Sequence, residues 1–182
     1  MAYRKEKYSR YNSGESFNAD SMKFNSNESY QTLLKERTVY GGGGIIPDHF
    51  VPLDTTGTSV YFNKLIRKGI FNQFALSWVN KNREYLEKKY PNFDKFNSKF
   101  DTQNAVDELI EYAEAEGLEF KEDQYNKAKH VIHTRLKANI AQDLFNYKKF
   151  YQIINDLNNA LEKSLELLKD DKAFSKLAMN NN

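Results

Sequence analysis

From Ser59 onward the apolar residues recur every three to four positions, the period of helices that each bury one face. Val60, Leu65 and Ile66 lead into Ile70, Phe71, Phe74, Ala75, Trp78, Val79, Tyr85 and Leu86, with Gly69 as a break or kink. Pro91 predicts an end by Tyr90, because the residue before proline avoids the α region. Asp101 or Thr102 can cap the next helix, where Ala105, Val106, Leu109, Ile110 and Ala113 make one stripe and Gly117 is the natural C′ residue. A long helix is predicted from about Glu122 to Phe145, burying Tyr125, Ala128, Val131, Ile132, Leu136 and Ile140. The last segment carries Phe150, Tyr151, Ile153, Ile154, Leu157, Leu161, Leu165 and Leu168, interrupted at Asn155-Asp156. None of these segments is apolar all round, so each must bury a stripe against the others. The prediction is a mainly α fold, a bundle of four to five helices.

Before that pattern the chain is different. Up to Gly57 lie all but two of the eight glycines and two of the three prolines, among many Ser and Asn residues. Residues 3–12 fit one short helix ended by Asn12-Ser13-Gly14, and 15–36 read as loop with one short strand. Thr38-Val39-Tyr40 and Phe50-Val51-Pro52-Leu53 are strand candidates on either side of the run Gly41-Gly42-Gly43-Gly44. The expected organisation is therefore a small glycine-rich β/loop segment over 1–56, a helical domain over 57–171, and a frayed tail over 172–182.

Composition narrows the class. A chain of 182 residues with 40% hydrophobic and 14% aromatic residues can build a real core. The mean hydropathy of -0.80 reflects well-solvated outer faces. A net charge of +2 creates no field of the kind that gathers nucleic acid. The absence of cysteine excludes disulfides, thiol catalysis and Cys-based zinc sites. No apolar run reaches the roughly 20 residues of a membrane-spanning helix, and the start MAYRKEKYSRYNSGE has no apolar signal core.

Each candidate for chemistry has a structural reading that explains it better. The glycine run lacks the Lys-Ser/Thr of a phosphate loop and opens no helix, so backbone freedom or close approach is preferred. Asp54-Thr55-Thr56-Gly57 has one residue too many for an aspartyl-protease loop and reads as a turn. Asp48 after Pro47 reads as a turn cap. His130 and His133 share a helix face and could be two metal ligands, with His49 the remaining histidine, but His-Val-Ile-His is not the H-E-x-x-H of a zinc helix. Ser21 with Lys23, and Ser164 with Lys169, are Ser–Lys combinations in polar or amphipathic segments that offer no desolvated lysine. Arg4, Lys5, Lys7 and Arg10, interleaved with Tyr3, Tyr8 and Tyr11, read as a solvated helix face around Glu6. No residue is assigned a catalytic, cofactor-binding or metal-binding role, and no cofactor is implied.

The stretch from Arg37-Thr38-Val39-Tyr40 through Gly41–Gly44 to Ile45-Ile46-Pro47-Asp48 resembles the segment that closes the catalytic domain in the C-terminal processing (tail-specific) serine peptidases. The helices that follow, with Tyr151-Gln152-Ile153-Ile154-Asn155-Asp156 before Ala160-Leu161, are similar to the helical extension of some members. That resemblance implies the C-terminal part of a Ser–Lys endopeptidase of the cell envelope or periplasm, cleaving proteins near their C-termini. The serine, the lysine and a PDZ module would lie upstream of residue 1, and this chain alone would be inactive. Its implied partners are that upstream core, protein substrates and a second copy of the chain, with no nucleic acid and no membrane span. The alternative is a stand-alone helical interaction module without catalysis, whose apolar groove binds a partner helix.

Overall fold

A computed structural model describes residues 2–21, 29–33, 36, 38–41 and 49–170. Among these residues eight α-helices and one two-stranded sheet are formed, so the fold is mainly α. The chain divides into two compact units, one of residues 55–158 and one of residues up to Asp54 together with those from Asn159.

The 55–158 unit is a bundle. Helix α2 (Val60–Arg67) starts at Ser59, whose Oγ accepts from the Phe62 N–H, and ends at Gly69, which sits in the left-handed region at φ 71°. Only glycine takes that conformation without strain, so α2 stops there and α3 (Ile70–Lys89) sets off in a new direction. Tyr90 leaves the helical region in front of Pro91, as the proline requires. Helix α5 (Gln103–Ala115) closes on Gly117 at φ 74°, with the Leu118 N–H bonded to the Ala113 carbonyl and the Gly117 N–H to that of Glu114. The periodicity misses α4 (Phe93–Lys99), a short helix capped by the Asn92 side chain on the Lys95 N–H. Its reason for existing is tertiary. Phe96 is fully buried, stacked on Phe100 at 4.5 Å and edge-on to Tyr90 and Phe145 at 5.6 Å each.

Helix α6 (Glu122–Leu144) is the central element and packs against α2, α3, α5 and α7 (Tyr147–Ile154). The expectation of a single apolar stripe fails here. Leu136, Ala138, Asn139, Ile140 and Ala141 are all buried, because neighbours surround the second half of α6. Asn139 is the polar exception in this interior; its Nδ2 donates to Asn72 Oδ1 while its own Oδ1 has no partner. Other apolar positions fall outside the core, and Val60, Ile66 and Tyr85 are exposed.

In the other unit, α1 (Ala2–Asn12) matches the predicted helix. Strand β2 (Thr38–Tyr40) pairs antiparallel with β1 (Ser29–Gln31), Tyr30 opposite Val39. The expected strand at Phe50–Leu53 does not form; proline at position 52 has no N–H for a ladder, and the Leu53 N–H goes to the Ser16 carbonyl instead. Helix α8 (Asn159–Lys169) is amphipathic yet buries no residue, leaving Leu165 and Leu168 exposed. The glycines Gly42–Gly44, the residues Ile45–Asp48 and the tail 171–182 lie outside the described residues.

Candidate functional site

The residues singled out by pattern do not converge on a catalytic centre. His133 is half-buried on α6, with Nδ1 2.6 Å from Thr102 Oγ1 and Nε2 2.9 Å from the Tyr125 hydroxyl. Both ring nitrogens are thereby occupied, and burial, helped by Lys129, holds its pKa below the usual histidine value. His130 is exposed and makes no part of this chain of hydrogen bonds. Among the described residues no three His, Asp or Glu side chains are grouped for a metal. Ser164 donates to the Ala160 carbonyl of its own helix at 2.6 Å. Ser21 lies in a short 3-10 turn, and Lys23 and Asp48 are outside the described residues. Thr55 to Thr58 form the predicted turn, the Thr58 N–H and hydroxyl both donating to the Thr55 carbonyl. Gly57 fits there because a Cβ would come 3.2 Å from Val131 Cγ1.

The most unusual surface in the bundle is the outer face of α7. The Asn146 side chain caps this helix by accepting from the Lys148 N–H. Helical spacing then puts Tyr147, Phe150 and Tyr151 on one side. Phe150 and Ile153 turn inward and are buried; Tyr147 and Tyr151 stay 60% and 47% exposed. They are nevertheless ordered against each other. Their hydroxyls are hydrogen-bonded at 2.9 Å, their rings meet edge to face at 5.1 Å, and both contact the Phe150 ring.

Arg135 of α6 packs against the Phe150 ring of this group. Its guanidinium carbon is 4.9 Å from the centre of the Phe150 ring, and its Nε is buried without a hydrogen-bond partner. Burial pulls the guanidinium below its usual pKa, with Tyr151 acting in the opposite direction. A guanidinium held over an aromatic ring still has N–H groups that an acceptor can use. Sequence reasoning placed Phe150 and Tyr151 among apolar core positions and did not single out Tyr147 or Arg135. The spacing of Tyr147 and Tyr151 was visible, but Arg135 is brought to the Phe150 ring only by the packing of α6 on α7.

A shallow groove of about 290 Å³ runs between residues 49–52 and α8, with Phe50, Val51 and Pro52 on one wall and Glu162, Lys163 and Glu166 on the other. Lys163 and Glu166 satisfy each other at 2.8 Å, so the charged wall is internally paired.

Comparison with known proteins bears on the bundle. A family model described as a family of unknown function (DUF8443) matches residues 61–146, a little under half of the chain and entirely inside the 55–158 unit. No curated protein and no solved structure matches. The resemblance to tail-specific serine peptidases is thereby corrected: no peptidase family matches, and the family of unknown function that does match covers the helices rather than the Arg37–Asp48 stretch. A short glycine-rich run joining extended segments meets a general backbone need and is a weak marker of ancestry.

Proposed function

We propose that this chain is a helical protein-interaction module, without catalysis of its own, that docks a protein partner on the outer face of α7. The observation that carries this reading is the ordered pair Tyr147–Tyr151, exposed yet fixed by mutual hydrogen bonding and seated on Phe150, whose ring also carries Arg135. Tyrosine and arginine are the residues most enriched in interface cores and hot spots, because they present large area with little entropy left to lose. The two rings are held before any partner arrives, so docking costs less ordering than it would for free side chains.

A photo-crosslinking residue at Tyr151 in the full chain, used in extracts of the source cells, tests the reading. The expected result is one dominant crosslinked protein that, once purified, binds the native chain and loses affinity for the Tyr147→Ser/Tyr151→Ser variant. A purified crosslinked protein that binds both chains equally would refute it, as would crosslinks spread without preference.

A further inference from the structure

We infer that Arg135 is the anchor for a carboxylate, so that the partner presents an acidic segment to the α7 face. This rests on the interaction-module reading and gives the partner its chemistry. The argument begins with how the bundle treats its other half-buried cations. Lys137 donates to the Asn97 carbonyl at 2.7 Å. Arg83 reaches the Asp143 carbonyl at 3.2 Å and the Glu87 carboxylate at 3.4 Å. Lys149 lies over the Phe93 ring at 4.2 Å and also donates to Gln152 at 2.8 Å. Arg135 alone in this group has a ring contact and, among the described residues, neither an ion pair nor a hydrogen bond.

A half-buried guanidinium has lost part of its hydration, and a ring face returns only part of that loss. Two parallel N–H groups that no intramolecular acceptor uses form the fork that a carboxylate fills in a bidentate manner. The surroundings select the same sign. Helix α7 carries Lys148 and Lys149 and no acidic residue. Asp143, the acid closest before α7 in sequence, has its carboxyl pKa raised by burial and is influenced by Arg83; Asp156, the first after it, acts on Lys137. Neither influences Arg135. The tyrosine hydroxyls add a donor to the same face, since only one of the two hydroxyl protons is used in their mutual hydrogen bond. The face therefore suits an acidic side chain next to an apolar or aromatic one, the first on Arg135 and the second against the Tyr147 and Tyr151 rings.

The test follows the Nε–H signal of Arg135 and the ring signals of Tyr147 and Tyr151 by NMR in the full-length chain. The probes are N-acetyl-Glu-Phe-Glu-amide, its Gln-Phe-Gln counterpart and inorganic phosphate. The acidic peptide should move all three residues and bind roughly tenfold more tightly than the neutral one, the scale of one charge-assisted hydrogen-bonded pair. That margin should vanish in Arg135→Gln and shrink in Arg135→Lys, which keeps the charge but not the fork; unchanged melting temperatures would show both variants folded. Equal binding of the two peptides, with tyrosine shifts in both, would overturn the carboxylate anchor while leaving the α7 docking face standing. Phosphate moving Arg135 as strongly as the acidic peptide would overturn the choice of carboxylate. No shift at any of the three residues would overturn the inference, and the crosslinking result would then decide the docking face separately.

Discussion

The bundle of residues 55–158 and the unit that flanks it in sequence both contain helices with recurring apolar positions, yet among the described residues only the bundle has a core. Every buried residue among those described lies between Ser59 and Ile153. Helix α8 shows why periodicity is not burial. Leu161, Leu165 and Leu168 recur at helical spacing like the stripe of α5, but α8 buries none of its residues, whereas α5 buries Ala105, Val106, Leu109 and Ala113. A stripe becomes core only when other elements enclose it. In the bundle the enclosing is done by α6, which contacts four other helices, and by aromatic side chains that fill the spaces between them.

The sharpest way to break this comparison is amide hydrogen exchange. Amides in α3 and α6 should exchange only through global opening, and those of α1, β1, β2 and α8 should exchange orders of magnitude faster. Short helices without a buried face are marginal by themselves. Protection in α8 equal to that in α6 would mean that the two regions are not different in stability after all.

Truncation of a core ring should come next in size. Phe96→Ala removes a fully buried ring with three aromatic neighbours, Tyr90, Phe100 and Phe145, and urea unfolding should show a loss of about 3–5 kcal/mol. A loss below about 1 kcal/mol, the ordinary effect of a point substitution, would show that the aromatic cluster is loosely packed. Gly69→Ala forces a Cβ into the left-handed region at φ 71° and should cost about 1–2 kcal/mol in the same assay. A neutral result there would mean that the α2–α3 junction relaxes freely.

Acidification should act on the bundle through His133. Its folded pKa lies below its unfolded value because burial disfavours the charged ring. As pH falls through about 6.5 the unfolded chain takes up a proton that the folded chain does not, so stability is full above that pH and falls below it, by at most about 1.4 kcal/mol per unit. The loss levels off once pH passes the folded pKa. His133→Gln should flatten this slope in unfolding curves between neutral and mildly acidic pH; an unchanged slope would place the proton uptake elsewhere. The smallest effects belong to α8, where Leu165→Ala and Leu168→Ala should each change stability by less than about 0.5 kcal/mol. A larger loss in the isolated chain would show that this face is covered in solution.

Much of the bundle was legible because its punctuation is local. Ser59, Gly69, Pro91 and Gly117 act through their own backbone or capping chemistry, and the helices begin and end where these residues stand. Helix α4 was missed because seven residues give periodicity little to work with, and its Phe96 is meaningful only beside Tyr90, Phe100 and Phe145. The extended Phe50–Leu53 segment was overread as a strand, since β propensity does not supply a partner strand. The histidines were legible as neighbours on a helix, but the hydroxyls that occupy His133 come from Thr102 and Tyr125, 31 residues and 8 residues away.

The amino-acid sequence by itself determined the helical class, the breaks between helices and most inward-facing positions, because these depend on neighbours within a turn or two. The tertiary structure alone decided that the second half of α6 would be enclosed on nearly all sides, that α8 would leave Leu165 and Leu168 exposed, and that Arg135 would lie over the Phe150 ring with its Nε unpaired. Those outcomes depend on which surfaces meet across long stretches of chain, and a one-dimensional pattern of apolar and polar residues does not encode which stripe finds a partner.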